Sequence, residues 1–278
     1  MTVAEWVRQT ATRLSEVGID SQTLEAEVLL AHALGCPRQS LRVHPEMKID
    51  GSTGADLVER RLSHEPLAYI VGIREFYGRD FSVSPAVLIP RQETETLVEA
   101  ATDWLRGLGR PASVLDVGTG SGCIAVSLKL ETPETEVTAV DISPDALGVA
   151  TRNATTLDAN VEFCQGHLWP DEVRRSDLIV SNPPYVAESA ILPPDVANFE
   201  PRLALFAAKD GYAVYDRLAA EATSHLAPGG RLMIELGDGM AQATSAAFLD
   251  RGWRIVEVKK DLGGMERVLI VEPQRGLS

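Results

Sequence analysis

The sequence is poor in cysteine, with only Cys36, Cys123 and Cys164 among its 278 residues. These three residues are widely spaced, and the sequence has no Cys-x-x-Cys pair or Cys/His cluster. The spacing therefore supports neither a zinc site nor a disulfide framework. We expect three reduced thiols and no bound metal.

Basic residues are also scarce, because 26 lysines and arginines stand against 40 aspartates and glutamates, a formal net charge of −14. A broad phosphate-binding surface needs a basic field, so we expect no direct nucleic-acid partner. No apolar run is long enough to span a bilayer, and the segment around Glu5 lacks the basic start and apolar run of a signal peptide. These absences predict a cytoplasmic protein with no membrane partner.

What the sequence does contain first is a helical N-terminal region, predicted over residues 1–64. Hydrophobic residues recur there at helical spacing before Gly18, which ends the first helix. Asp20-Ser21 could cap a second helix, and a further helix is predicted from Gly54 to His64. The length of the chain suits one large domain beside this smaller one.

Residues 65–90 differ in character and are predicted to form a β-hairpin linker. The segment is rich in strand-forming residues and is punctuated by Gly72, Gly78 and Pro85. The strand formers are Tyr69, Ile70, Val71, Phe76, Tyr77, Phe81, Val83, Val87 and Ile89.

Residues 91–278 alternate short apolar runs with stretches long enough for crossover helices, which predicts an α/β domain with a mainly parallel sheet covered on both faces. Two strand-like stretches near the end of the sequence are predicted to form an antiparallel edge of this sheet. The predicted buried strands are Val114–Val117, Val137–Val140, Val161–Phe163, Leu178–Val180 and Leu232–Ile234, and the two late strands are Arg254–Val258 and Arg267–Val271.

A glycine loop follows the first of these strands. Gly118, Gly120 and Gly122 let the backbone approach a ligand closely. Asp141 ends the next strand and can accept hydrogen bonds from both ribose hydroxyls of an adenosine. If the segment were only a structural turn, the combination of three glycines with Asp141 would be a coincidence. A dinucleotide-binding loop would have its last glycine at position 123, which is occupied by Cys123. The pattern favours an adenosine cofactor, and Asp116 before the loop suits the cationic methionine end of S-adenosyl-L-methionine.

A second motif, Asn182-Pro183-Pro184-Tyr185, follows the strand that ends at Ser181. The two prolines fix the backbone and remove amide donors. The Asn182 side-chain oxygen and the Pro183 carbonyl can then hold an NH2 group by its two hydrogens, while Tyr185 offers an aromatic face for a planar group. An amide nitrogen is a weak nucleophile because its lone pair is delocalised. Alignment and polarisation of this nitrogen would therefore supply most of the rate enhancement. The motif predicts methylation of a planar amide-type nitrogen.

With these motifs the chain resembles the HemK/PrmC family of peptide chain release factor glutamine methyltransferases, and the resemblance runs through nearly all of it. The stretches that carry the resemblance are Glu65–Gly72 with Glu75–Tyr77, Leu88–Glu95, the glycine loop, Asn182–Tyr185, Phe199–Pro201 with Ala204–Leu205, Asp210–Gly211, and Asp261–Gly264 with Glu266–Arg267.

The resemblance implies an α/β fold: a seven-stranded Rossmann-like class I methyltransferase domain at 91–278, a substrate-recognising helical domain at 1–64 and the hairpin linker at 65–90. It also implies S-adenosyl-L-methionine as cofactor and class I release factors as partners. The methylated group would be the side-chain amide nitrogen, N5, of the glutamine in their Gly-Gly-Gln motif. We expect a monomer.

The resemblance also implies a role for individual residues. Asn182, Pro183 and Tyr185 would be catalytic. The residues implied to bind the cofactor are Gly118, Thr119, Gly120, Ser121, Gly122, Asp141, Leu168 and Asn182, and those implied to bind the substrate are Asn182, Pro183, Pro184 and Tyr185. His167 stands where relatives often have an acid, so either Leu168 or Trp169 is expected to cover the adenine ring.

Three alternatives stay open at this point. A sister enzyme could methylate a glutamine of a ribosomal protein with the same turn, although the stretch at 89–95 looks like the release-factor branch. A DNA or RNA amino-methyltransferase would need a basic groove or a recognition domain, and this acidic sequence shows neither. A non-catalytic binder would have no need of the intact Asn182 turn.

Overall fold

The computed structural model describes residues 1–170 and 175–274, and the last residues of the predicted methyltransferase domain, 275–278, lie outside this part of the chain. The described residues form two compact units. The first contains Met1–Ile73 and Leu192–Phe199, and the second contains the described residues of Arg74–Ile191 and those from Glu200 onwards.

The first unit is helical. Its helices are α1 (Val3–Glu16), α2 (Gln22–Leu34), α3 (Arg38–Val43), α4 (Ala55–Leu62), α5 (Leu67–Val71) and α9 (Pro194–Phe199). The helices predicted before Gly18, after Asp20-Ser21 and from Gly54 to His64 are confirmed as α1, α2 and α4.

Local sequence explains where α1 begins. Thr2 accepts a hydrogen bond from the Glu5 backbone N–H at 3.1 Å, and the Glu5 carboxylate accepts one from the Thr2 N–H at 2.8 Å. This reciprocal capping box satisfies two backbone donors that would otherwise lack partners at the start of the helix. Trp6 and Leu14 then pack with Leu29 and Leu30 of α2 in the core of this unit.

One part of the predicted hairpin is wrong, because Tyr69, Ile70 and Val71 lie in helix α5 rather than in a strand. The Pro66 carbonyl accepts the backbone N–H groups of Tyr69 and Ile70 and so begins a helical turn. Both side chains are buried, so tertiary packing outweighs their strand propensity. The left-handed Gly72 ends the helix.

The hairpin itself is confirmed in a shorter form. Strands β1 (Ile73–Phe76) and β2 (Arg79–Ser82) form a two-stranded sheet. Tyr77 and Gly78 join them with φ of 51° and 72°, the left-handed torsions of a tight hairpin turn. Phe76 and Phe81 pack edge to face with ring centroids 6.0 Å apart.

The second unit is built on a seven-stranded sheet with the order β10-β11-β9-β6-β3-β4-β5. Its strands are β3 (Ser113–Val117), β4 (Glu136–Asp141), β5 (Glu162–Gln165), β6 (Ser176–Ser181), β9 (Leu226–Glu235), β10 (Trp253–Lys260) and β11 (Glu266–Pro273). The pairs β3–β4, β3–β6, β4–β5 and β6–β9 are parallel, whereas β11 pairs antiparallel with β9 and β10. The predicted parallel sheet and its antiparallel edge are confirmed.

Helices cover both faces of this sheet because alternate strand residues face opposite sides. The helices of this unit are α6 (Glu95–Gly107), α7 (Cys123–Glu131), α8 (Pro144–Thr156), α10 (Arg202–Leu205), α11 (Ala213–Glu221) and α12 (Ala241–Leu249). Val114 packs with α6 and α7 on one face, and Leu115 packs with α11 and α12 on the other. The described residues of this unit also form two 3-10 turns, Gln92–Thr94 and Ala222–His225, and a short parallel pair, β7 (Val186–Ala187) with β8 (Phe206–Ala207).

Trp253 anchors the edge strand β10. Its side chain is fully buried, its indole N–H donates to the Ala219 carbonyl of α11 at 2.8 Å, and its ring meets Phe248 of α12 edge to face. One side chain therefore joins the sheet edge to two helices.

Trp253→Phe should lower the free energy of unfolding by about 2–3 kcal/mol, because it leaves a cavity and an unpaired buried carbonyl. The measurement is the midpoint of urea denaturation. Trp104→Phe is the matched control, since the Trp104 ring is only partly buried. Equal losses in the two variants would contradict this role of Trp253.

Candidate active site

A cavity of about 440 Å³ lies at the carboxyl ends of the neighbouring strands β4, β3 and β6. The glycine loop follows β3, Asp141 ends β4 and Asn182 follows β6. Parallel strands present these ends at one edge of the sheet, which is where doubly wound folds bind ligands. Of the predicted site residues, those that line this cavity are Gly118, Thr119, Gly120, Ser121, Asp141, Leu168, Asn182 and Pro184.

The glycine loop is held against β4. The backbone N–H groups of Gly118 and Thr119 both donate to the Val140 carbonyl, at 2.9 and 3.0 Å. Gly118 and Gly120 have φ of 75° and 55°, and a Cβ on either would meet no atom within 4 Å. The loop thus presents bare backbone to an open space, as close approach to a ligand requires.

Gly122 serves the fold rather than the cavity lining. A Cβ at Gly122 would lie 3.1 Å from the Ala150 Cβ and 3.3 Å from the Ala150 Cα. Its φ of 80° is also one that other residues resist. This glycine therefore lets α7 pack closely against α8.

Asp116 lies beneath the loop and binds it. Its Oδ2 accepts the Thr119 hydroxyl at 2.6 Å and the Ala125 N–H at 3.2 Å, and the side chain is fully buried. Burial raises the pKa of this carboxyl to about 7. The sequence predicts that Asp116 suits a cationic ligand, but its hydrogen bonds in the structure are with Thr119 of the loop and Ala125 of the helix Cys123–Glu131.

Asp141 joins two parts of the cavity wall. Its Oδ2 accepts the Gly120 N–H at 2.8 Å, and its Oδ1 accepts the Ser143 N–H at 2.9 Å. A carboxylate oxygen can accept a second hydrogen bond, so both oxygens keep capacity for ribose hydroxyls. Bare glycine backbone beside such a carboxylate fits the adenosine portion of S-adenosyl-L-methionine.

The corner after β6 orients Asn182. Its Nδ2 donates to the Thr94 hydroxyl at 3.1 Å, and no described residue donates to its Oδ1. Asn182, Thr94 and Pro184 all line the cavity, whereas Pro183 is buried outside the lining. The amide oxygen of Asn182 is thus the acceptor left for a ligand.

Tyr185 packs behind this corner. A Cβ at Gly237 would lie 2.8 Å from a carbon of the Tyr185 ring, and one at Gly211 would lie 2.2 Å from the Tyr185 carbonyl oxygen. Burial raises the pKa of the Tyr185 phenol to about 12, so the ring is neutral. Tyr185 does not line the cavity in this structure, and its contact with a planar substrate stays a prediction.

The structure also brings together residues to which the sequence alone assigns no role. The buried Glu200 carboxylate accepts the Ile89 N–H at 3.2 Å and pairs with the Arg91 guanidinium at 2.5 Å. This pair holds the chain just before the 3-10 turn that ends at Thr94. The only signal in the sequence is that these residues fall within the stretches Leu88–Glu95 and Phe199–Pro201.

Leu168, and not Trp169, faces the cavity. The Trp169 ring stacks on His225 at 4.2 Å between centroids, and its indole N–H donates to Glu221 at 2.7 Å. Between the two residues that were expected to cover an adenine ring, the geometry favours Leu168. His167 also lines the cavity, with its Nδ1 2.8 Å from Nη1 of Arg217.

Within residues 1–170 and 175–274, no cluster of His, Cys, Asp or Glu could hold a metal ion. In the same part of the chain, every helix is too short or too polar to cross a bilayer.

Comparison with known proteins identifies both parts of the chain. The family model described as the PrmC N-terminal domain matches residues 5–72, and the one described as the methyltransferase small domain matches residues 94–198. The release factor glutamine methyltransferase of Koribacter versatilis is 42% identical over 277 residues, which cover 97% of this chain and 98% of the relative. That of Bordetella pertussis is 45% identical over 252 residues, with 88% and 93% covered.

Solved structures are similar in fold. A methyltransferase from Pyrococcus furiosus has a TM-score of 0.51 at 20% identity. The alignment covers 70% of this chain and 89% of the Pyrococcus chain. A Thermus thermophilus 16S rRNA methyltransferase solved with AdoMet and guanosine has a TM-score of 0.50 at 18% identity, with 73% and 50% covered. These similarities support the class I methyltransferase fold of the second unit.

Asp141→Ala should weaken the binding of S-adenosyl-L-methionine by about tenfold or more, because it removes a charged acceptor and the link between Gly120 and Ser143. Isothermal titration calorimetry measures this affinity. Asp145→Ala, which removes an exposed carboxylate from the first turn of α8, is the matched control and should bind normally. Unchanged affinity in Asp141→Ala would refute the ribose assignment.

Proposed function

Because the chain belongs to the family of release factor glutamine methyltransferases, we propose that it methylates N5 of the glutamine in the Gly-Gly-Gln motif of class I peptide chain release factors. S-Adenosyl-L-methionine is the methyl donor. The observation that carries the proposal is the Asn182 corner, whose amide oxygen accepts no hydrogen bond from a described residue at the edge of the cavity.

The cofactor supplies a methyl group bonded to a positively charged sulfur. This positive charge activates the methyl carbon for in-line displacement. The glycine loop and Asp141 line the wall that suits its adenosine, and Leu168 borders the same space. These residues bind and orient the donor. Orientation matters because correct alignment of two reactants can lower a barrier by roughly 7–11 kcal/mol.

The substrate amide needs help because its nitrogen lone pair is delocalised into the carbonyl group. The Asn182 Oδ1 and the Pro183 carbonyl oxygen would each accept one N–H of the glutamine amide. The two acceptors polarise the nitrogen, aim it at the methyl group and stabilise the positive charge that develops on it. Transfer from the bound donor would form an N–C bond as its S–C bond breaks, and the excess proton would leave the nitrogen for solvent.

The rigidity of this corner supports the assignment. Pro183 and Pro184 fix the backbone, while the Ser181 hydroxyl donates to the Val117 carbonyl at 2.7 Å and joins β6 to β3 just before the turn. A catalytic acceptor must be held in place before the substrate arrives. The packing of Tyr185 against Gly237 adds the same restraint from behind.

The N-terminal region has a separate part in the proposal. Residues 1–64 would recognise the protein substrate, 65–90 would link the domains, and 91–278 would carry the methyl transfer. The match of residues 5–72 to the PrmC N-terminal domain supports the first of these roles. The enzyme would act as a monomer in the cytoplasm, where release factors meet ribosomes, without binding nucleic acid directly.

Methyl transfer is tested with a labelled cofactor and a purified class I release factor, beside the variant of that factor in which the Gly-Gly-Gln glutamine is alanine. Label should enter the wild-type factor and not the variant. A ribosomal protein mixture serves as the competing substrate and should stay unlabelled. Label that enters ribosomal proteins in preference to the release factor would contradict the proposed substrate.

Asn182→Ala should lower kcat by about 100- to 1,000-fold while cofactor affinity is mostly retained, because one preorganised acceptor is lost at the reacting nitrogen. The measurement is single-turnover methylation with calorimetry on the same preparation. Asn160→Ala, at an exposed position before β5, is the control. An Asn182→Ala enzyme with normal turnover would remove this mechanism.

A further inference from the structure

A buried carboxyl close to the Asn182 corner has no part in the chemistry described so far. Glu235 is the last residue of β9, and its side chain is 1% exposed. Strand β9 pairs in parallel with β6, and Ser181 is opposite Ile234. The residues that follow, Asn182 and Glu235, therefore lie side by side at the cavity edge of the sheet.

Thr94 contacts Asn182 and lies near Glu235. Its hydroxyl accepts the hydrogen bond from Asn182 Nδ2 at 3.1 Å, and its side chain lowers the pKa of the Glu235 carboxyl. Thr94 is 2% exposed, so solvent offers its hydroxyl little competition for these partners. The Glu235 Oε2 has no hydrogen-bond partner among the described residues.

The direction in which the Thr94 hydroxyl donates its proton decides which end of the Asn182 amide faces the cavity. A threonine hydroxyl has one proton to donate, and a carboxylate can only accept. When Thr94 donates its proton to Glu235, it can only accept from Asn182. The NH2 end of the amide must then face Thr94, and the oxygen must face the cavity.

We propose that Thr94 and Glu235 are positioning residues that hold the Asn182 side chain with its oxygen toward the substrate amide. This inference rests on the proposed methyl transfer. Without the pair, the Asn182 amide could turn over and present two donors to the glutamine NH2 group, which is itself a donor. Such an arrangement would repel the substrate nitrogen.

Other contacts fix the two positioning residues. The Thr94 N–H donates to the Arg91 carbonyl at 3.2 Å, and the Arg91 side chain is paired with Glu200. On the other side, the Tyr215 hydroxyl donates to the Glu235 backbone carbonyl at 2.9 Å. Thr94 and the backbone of Glu235 are therefore each restrained by contacts of their own.

Burial of Glu235 has a cost that is consistent with a functional role. Burial raises the pKa of its carboxyl to about 7, and the nearby Glu93 adds to the rise. Thr94, Arg267 and Arg91 lower the same pKa but do not offset the effect of burial. A carboxyl whose pKa is raised by folding destabilises the fold increasingly as the pH rises above its ordinary range. Perturbed groups of this kind concentrate at functional sites.

The test compares Thr94→Val and Thr94→Ser, since valine removes the hydroxyl at nearly constant shape and serine restores it. Thr94→Val should lower kcat by about 10- to 100-fold with cofactor affinity within about twofold of the wild type, and Thr94→Ser should recover most of the rate. Thr102→Val is the matched control, because Thr102 is equally buried in α6 and its hydroxyl has no partner among the described residues. It should leave kcat unchanged.

Glu235→Gln separates a positioning role from a structural one. The variant should lower kcat, because a glutamine NH2 can donate to Thr94 and release the threonine proton toward Asn182. Above neutral pH its unfolding temperature should equal or exceed that of the wild type, because no buried charge remains. A structural role would lower stability together with the rate.

Normal turnover in Thr94→Val or in Glu235→Gln would overturn the inference while leaving the proposed function in place. So would a loss of rate in Thr94→Val that serine does not recover. If the wild type itself transfers no methyl group to the release factor, the proposed function is wrong. The same set of assays therefore distinguishes failure of the proposed function from failure of the positioning role.

Discussion

The parallel pairing of β3 with β4 on one side and β6 on the other decides where every candidate functional residue lies. Parallel strands end at the same edge, so the glycine loop, Asp141 and Asn182 meet although they are far apart in the chain. Each strand brings one type of group: bare backbone, a carboxylate and an amide oxygen. The chemistry assigned to the site needs all three at one cavity.

The corner after β6 depends on residues from elsewhere in the second unit. Glu200 holds Ile89 and Arg91, and the turn that follows places Thr94 against Asn182. Three of the stretches that carry the family resemblance, Leu88–Glu95, Asn182–Tyr185 and Phe199–Pro201, thus form one connected set of contacts around an amide. Tyr185 and Gly237 pack behind it, where a larger residue than glycine would displace the ring.

The sequence predicted the strands, the glycine loop, Asp141 and Asn182 because each signal is local: an apolar run followed by a residue of special chemistry. It did not predict the helix at Tyr69 and Ile70, where burial outweighs strand propensity. The sequence also did not decide whether Leu168 or Trp169 faces the cavity. In the structure the Trp169 ring stacks on His225 and lies outside the cavity lining. Contacts between distant residues leave no periodic pattern to read.

The most direct measurement is a crystal structure of the protein with S-adenosylhomocysteine and a Gly-Gly-Gln peptide. We expect the Asn182 Oδ1 to lie within about 2.7–3.2 Å of the glutamine side-chain nitrogen. That nitrogen should also face the cofactor sulfur in line with the position of the missing methyl group. An Asn182 side chain turned away from the sulfur, with the peptide glutamine bound elsewhere, would contradict it.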